Sequence, residues 1–193
     1  MYKLCKTEQS AARQRQLEDG LLQAMRVQRY EDISVSDLCD RMEIPRKSFY
    51  RYFSSKDGAL YALLDHTMME YEGFNAVYRR GERRTLQREL MQFFLFWKER
   101  KPLLDALERS GMSGVLIERA ISFSVSDTVV PSRFLPEDTP ETQKQITMFG
   151  VCGLLSMILA WHHANFDKTP EELARIGARL IGQPLFPGVE NML

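Results

Sequence analysis

Apolar residues return every three to four positions along most of this chain and almost nowhere alternate one in two, a pattern that predicts helices and no hairpin-paired strands. Leu17, Gly20, Leu21, Ala24 and Met25 fall on one stripe of a first helix over 9–28. A short second helix is predicted over 35–42, with Ser34 as its cap and Asp37 three residues on, where a carboxylate meets the unpaired first-turn amides. Pro45 suits the first position of a third helix, running to about Phe53, because its fixed φ is helical and its missing N–H has no partner there anyway. Ser54 with Asp57 reads as the cap of a long fourth helix continuing through Leu60, Leu63, Leu64, Thr67, Met68 and Tyr71 to near Tyr78.

The second half repeats this grammar. A fifth helix is predicted over 86–100, a sixth from Pro102 and a seventh over 113–126, followed by a loop at 127–138 that holds Pro131 and Pro136. Thr139-Pro140-Glu141 and Thr169-Pro170-Glu171-Glu172 each offer a threonine cap and a proline first residue, the second adding Glu172 as capping-box partner, and open the eighth and ninth helices. The tail after Gly182, with Pro184 and Pro187, reads as irregular. The expected fold class is therefore all-α, with about nine helices. Residues 1–55 form one expected domain and 56–193 a second, with no linker between them.

Composition narrows the function classes. Net charge is +0 across 193 residues, which excludes a globally basic nucleic-acid coat, so any affinity for DNA has to come from local charge. Such a bias exists: up to Lys56 there are eleven basic residues against eight acidic ones, and Arg46, Lys47, Arg51 and Lys56 follow one another with no acid among them. Cys5, Cys39 and Cys152 lie far apart and form no C-x-x-C pair, which points to neither a disulfide framework nor a zinc site; Cys39 reads as a small core residue. His66, His162 and His163 have no metal-ligand spacing. No nucleophile elbow, glycine-rich phosphate loop or catalytic carboxylate pair is present, so no enzyme, metal or cofactor is expected. The N-terminus lacks the apolar core of a signal peptide. Met148 to Trp161 comes closest to a membrane span but suits a buried helix better, so a cytoplasmic protein is expected.

The most informative segment is ISVSDLCDRMEIPRKSFYRYFSSKDGAL, residues 33–60. A helix that reads the major groove presents polar side chains from its first turns, while neighbouring elements fix its register on phosphates. The predicted third helix divides that way. Arg46 and Lys47 sit in its first turn as base readers. Ser48, Tyr50 and Tyr52 offer hydroxyls for phosphate or, from Tyr50, a base edge, and Arg51 adds charge. Phe49 and Phe53, at i and i+4, face inward with Leu38 and Met42.

With Ser34, Leu38, Phe49, Tyr50, Phe53 and Lys56 at matching places, the segment resembles the DNA-binding module of the tetracycline-repressor (TetR-like) family of bacterial regulators. The likeness extends back through the first helix to roughly the first third of the chain; beyond Leu64 it rests on helix number and layout. It implies a homodimeric, ligand-responsive regulator, more a repressor than an activator, binding a palindromic operator on double-stranded DNA. It also implies that Lys56 contacts phosphate and that Ser34 and Ser36 lie where the second helix meets the backbone. Glu43 and Arg29 stand where the family usually has glycine, so positive φ at either would carry strain.

A dimer needs an interface. The eighth helix offers Ile146, Phe149, Gly150, Gly153, Leu154, Met157 and Ile158, and the ninth Leu173, Ile176, Gly177, Leu180 and Ile181, stripes suited to a four-helix bundle between two chains. The family's small-molecule effector pocket has candidate lining in Phe74, Tyr78, Phe93, Phe94, Phe96, Trp97, Met112, Phe123 and Met148, which fits an apolar or aromatic effector. The rival reading is a helical protein-interaction module that has lost specific DNA binding, with Glu43 near the phosphates as its main support.

Overall fold

The computed structural model describes residues 2, 5, 7–78, 85–125 and 139–182. Among them are nine α-helices and no strand: α1 Glu8–Met25, α2 Val35–Arg41, α3 Arg46–Tyr50, α4 Lys56–Tyr78, α5 Leu86–Glu99, α6 Lys101–Arg109, α7 Ser113–Ser124, α8 Pro140–His163 and α9 Pro170–Gly182. The all-α expectation is met. The predicted loop at 127–138, the tail after Gly182 and the Tyr78 side chain lie outside the described residues.

Hydroxyl side chains start these helices because they satisfy the first-turn amides that have no partner inside the helix. Thr7 accepts from the Ser10 amide at 3.2 Å and Ser34 from the Asp37 amide at 3.0 Å. Thr169 accepts from the Glu172 amide while the Glu172 carboxylate takes the Thr169 amide at 2.7 Å, the reciprocal box expected there. Two starts shift by one residue. Pro45 is the cap rather than the first helical residue, since its ψ of 140° is extended. Ser55, not Ser54, accepts from the Gly58 amide at 3.2 Å and opens α4.

The chain divides into two compact units, residues 1–69 with 102–152, and residues 70–101 with 153–193. The first has a core of Leu17, Leu21 and Met25 from α1, Leu38 and Cys39 from α2, Phe49 and Phe53, Leu60 and Leu64 from α4, and Leu104, Leu107 and Leu116 from α6 and α7. Burial pushes the Cys39 thiol pKa up, as befits a core residue. In the second unit α9 packs on α5 around an aromatic cluster. Tyr71 and Phe74 meet Phe96, and Phe94 meets Trp161 edge-on at 6.0 Å.

Helix ends explain one of the two departures from glycine. After α6, Gly111 takes φ 65° so that its own amide and that of Met112 reach back to the Glu108 and Leu107 carbonyls. The end of α2 has the same geometry, with Glu43 at φ 53°: its amide bonds Asp40 O at 3.2 Å and the Ile44 amide bonds Cys39 O at 3.0 Å. Arg29 sits at φ −69° and carries no such strain. Glu43→Gly is expected to raise the unfolding free energy by about 0.5–1 kcal/mol, the relief of a left-handed side-chain residue less the added chain entropy of glycine. Urea unfolding checks this, and a loss of stability would mean that the Glu43 side chain contributes more than its backbone costs.

The long apolar α8 is only partly the buried helix its composition suggests. Leu155, Ile158, Trp161 and His162 are buried, but Ile146, Met148 and Phe149 are exposed, Phe149 to 70%. By length and hydropathy α8 is the one described helix that could cross a membrane, a test that core helices of soluble proteins also pass.

Candidate nucleic-acid interface

The interface is built from the α2–turn–α3 pair upward. Leu38, Phe49 and Phe53 are essentially inaccessible, and the Phe49 and Phe53 rings lie 5.2 Å apart, so burial of one side of α3 turns its opposite side to solvent. On that side Arg46, Lys47 and Arg51 are exposed and Tyr50 is 51% exposed, its ring braced edge-on against Phe49 at 5.6 Å. Ser48 is half-buried.

Electrostatics hold this face open. Arg46 donates from Nη2 to Ser36 Oγ, which ties the first turn of α3 to α2. Asp37, an acid whose charge is felt by Arg46, is occupied by the cap. Its carboxylate accepts from the Ser34 hydroxyl at 2.6 Å and the Ser34 amide at 3.3 Å, and those bonds hold its pKa below the ordinary carboxylate value. Ser34 and Ser36 thus sit at the N-terminus of α2, with the Ser34 and Asp37 amides taken by the capping box and the Ser36 hydroxyl held by Arg46.

Two expected contacts are placed differently. Tyr52 is 8% exposed and packs its ring near Phe53, so little of it is free for phosphate. Lys56 Nζ donates to the carbonyls of Tyr30 and Ile33, each at 2.5 Å, and lies over the Tyr30 ring at 4.2 Å. Removal of the ammonium from water lowers its pKa. In this state Lys56 anchors the 3-10 turn Tyr30–Asp32, and the Tyr30 hydroxyl in turn donates to Asp57 at 2.5 Å.

The other expected residues distribute between the units. Phe74, Phe94 and Trp97 belong to the aromatic cluster of the second unit, whereas Met112, Phe123 and Met148 belong to the first. Trp97 Nε1 and Asn75 Oδ1, both in the second unit, are buried without a hydrogen-bond partner among the described residues. On α8, Phe149, Gly150 and Gly153 are exposed and Leu154 and Met157 half-buried. On α9, Leu180 is exposed, Ile176 half-buried and Leu173 buried inside its own unit.

Sequence reasoning missed two groupings. The first is a buried polar network joining α1, α4 and α7. Glu18 accepts from or pairs with His66 Nδ1 at 2.8 Å, Asp65 takes Arg119 Nε at 3.0 Å and Nη2 at 2.5 Å, and the Tyr2 hydroxyl donates to Asp65 at 2.8 Å. Its only signal was the adjacency of Glu18 to the apolar stripe. The second is an open cleft of about 520 Å³ lined by Thr7, Gln9, Ser10, Ala12, Arg13, Gln16, Arg51 and Tyr52. It gathers residues roughly forty positions apart, a proximity that periodicity does not show.

No family model and no curated protein matches the sequence. Solved structures are similar in fold. The dihydroxyacetone kinase operon activator DhaS superposes with a TM-score of 0.55 at 16% identity, over 88% of this chain and 93% of its own. The fatty acid degradation regulator FadR from Bacillus halodurans superposes with a TM-score of 0.56 at 14% identity, over 94% of this chain and 98% of its own. At such identities the likeness is one of fold, and the chain has the all-helical fold of these two regulators along nearly its whole length.

Proposed function

We propose that this chain is a TetR-like transcriptional regulator that reads double-stranded DNA through α3, with residues 1–55 as the reading domain and 56–193 as the regulatory and dimerisation domain. The observation that carries this reading is the division of α3, with Phe49 and Phe53 sealed inward while Arg46, Lys47, Tyr50 and Arg51 face water beside the capped N-terminus of α2. Arg46 and Lys47 take the base edges; Ser34, Ser36, Ser48 and Tyr50 take phosphates. The names of the two fold neighbours, an operon activator and a degradation regulator, support a regulator of transcription; a cytoplasmic location and repression are our own reading.

A single α3 spans one groove, so we take the working form to be a homodimer on a palindromic operator. Exposed Ile146 and Phe149 on α8, in the first unit, and exposed Leu180 and Ile181 on α9, in the second, each support their helix as part of the interface, since exposed large apolar side chains are costly to leave in water. Phe149→Asp is expected to convert the dimer to monomer in sedimentation; a variant that stays dimeric refutes this interface. We take the effector to be small and apolar or aromatic; Trp97 Nε1 and Asn75 Oδ1, buried without a partner among the described residues, are polar groups for it to meet in the second unit, a buried unpaired group costing about 1–3 kcal/mol.

The test is a salt titration of binding to DNA flanking the chain's own gene, followed by fluorescence anisotropy. Affinity should fall steeply as salt rises, and Arg46→Ala and Lys47→Ala should each cost about 1–3 kcal/mol at the preferred site and relax base preference. No binding at low salt would favour the interaction module, for which the strained Glu43 beside the reading face is the supporting observation.

A further inference from the structure

The cleft between α1 and the end of α3 has an unusual lining for an open surface. It contains two guanidinium groups, two hydroxyl residues besides Tyr52, two carboxamides and one alanine, and no carboxylate. Arg13 donates to Gln16 at 2.9 Å, which braces its side chain along the cleft wall. Arg51 enters from the opposite side as the residue directly after α3, and what remains accessible of Tyr52 borders the same space. Two fixed positive charges, flanked by hydroxyl and carboxamide groups that can donate and with no acid in the lining, suit a phosphate, and suit neither a metal cation nor an apolar molecule.

We propose that this cleft seats a backbone phosphate of the duplex whose major groove α3 reads, with Arg13 and Arg51 as its charged contacts and Gln9 and Gln16 as flanking donors. The inference rests on the DNA-reading function proposed above and adds α1 to the binding surface. Continuity decides for the DNA backbone over a free anion. Arg51 follows α3 without a break, so a strand bordering the groove occupied by Arg46 and Lys47 passes the mouth of the cleft, and the cleft is open rather than enclosed. The result is a clamp, with phosphate contacts from α1 and from the end of α3 and base contacts from the first turn of α3. It also gives Tyr52 a role that its burial would otherwise deny, as the apolar wall against which the sugar-phosphate chain rests.

Phosphate contacts carry no base information, so the experiment uses two duplexes of about three helical turns, one from the flanking DNA and one of random sequence. Salt dependence is measured for the full chain and for Arg13→Ala, Arg13→Lys, Arg51→Ala and, as a remote control, Arg175→Ala. Each lost phosphate contact removes about 0.9 from the slope of log K against log salt, which is about a 3.5-fold smaller loss of affinity over a fourfold rise in salt. Arg13→Ala and Arg51→Ala should each show that reduction on both duplexes, Arg13→Lys should keep most of the slope, and Arg175→Ala should match the parent. An unchanged slope in Arg13→Ala, with Arg46→Ala still weakening the preferred site, overturns the cleft assignment alone. A parent chain that binds neither duplex overturns the cleft and the DNA-reading function together. If millimolar inorganic phosphate or adenosine monophosphate stabilises the parent against heat but not Arg13→Ala, and both bind duplex equally, the cleft is a small-anion site and the backbone assignment falls.

Discussion

Phe49→Ala is expected to lower the unfolding free energy by about 3–5 kcal/mol, a large share of the 5–15 kcal/mol that holds a typical domain folded. Phe49 has no accessible surface and its ring contacts those of Tyr50 and Phe53, so alanine removes buried apolar area and leaves a hole that a five-residue helix cannot close. The neighbouring Tyr50→Ala, at 51% exposure, should cost far less in stability while still weakening DNA binding. Urea denaturation followed by circular dichroism separates the two. A cost below about 1 kcal/mol for Phe49→Ala would show that α3 is not seated on the core as described. The contrast matters for function because adjacent positions on one short helix then carry opposite duties, one holding the reading face in place and the other belonging to it.

The second large effect is expected at Asp65, far from the reading face. Its carboxylate, nearly inaccessible, takes two bonds from Arg119 and one from Tyr2. The Tyr2 hydroxyl pKa is raised by burial and by this bond, and that of Arg119 by the bonds to Asp65, which keeps the donors protonated and the pair intact. Asp65→Ala leaves a guanidinium and a phenol without their acceptor. For a fully buried pair the loss is about 3–5 kcal/mol, and partial solvation of Arg119 reduces it to about 2–3 kcal/mol. Adding Arg119→Leu should restore much of it, because the unpaired charge is removed along with its partner. If the double variant is as unstable as Asp65→Ala, the cost lies in packing around Asp65 and not in the stranded cation.

This network ties the N-terminal helices into the unit they belong to. Glu18 of α1 meets His66 of α4, Asp65 of α4 meets Arg119 of α7, and the Tyr30 amide donates to Ser110 at the end of α6. Lys56 fastens the start of α4 to the turn after α1. Within this compact unit, then, α1 and the segment between α1 and α2 are bonded through polar groups to α4 and to the end of α6, and α4 in turn to α7, besides the apolar core that the three N-terminal helices share with them. A displacement of α7 or α6 would be felt at the carbonyls and carboxylates that position α1 and α4.

The amino-acid sequence by itself determined where the helices are and how most of them begin, because caps and apolar periodicity are local: Thr169 and Glu172, or Ser34 and Asp37, satisfy the same amides whatever surrounds them. It also determined that Arg46 and Lys47 share the first turn of a helix whose Phe49 and Phe53 face inward. The one-residue offset at Pro45 arose because its ψ is extended, which periodicity does not show, and that at Ser55 because two serines stood side by side and only the fold gave one of them the Gly58 amide. Tertiary structure alone decided the rest. Whether Tyr52 and Lys56 are free depends on Phe53 and on the Tyr30 and Ile33 carbonyls, partners up to 26 residues away. That Arg13 and Arg51 line one cleft follows from how α1 meets the end of α3, and that Glu18 and Asp65 are buried with partners from how α1, α4 and α7 pack. No period of 3.6 records such packing, since it describes which face of a helix is apolar and leaves open what that face meets.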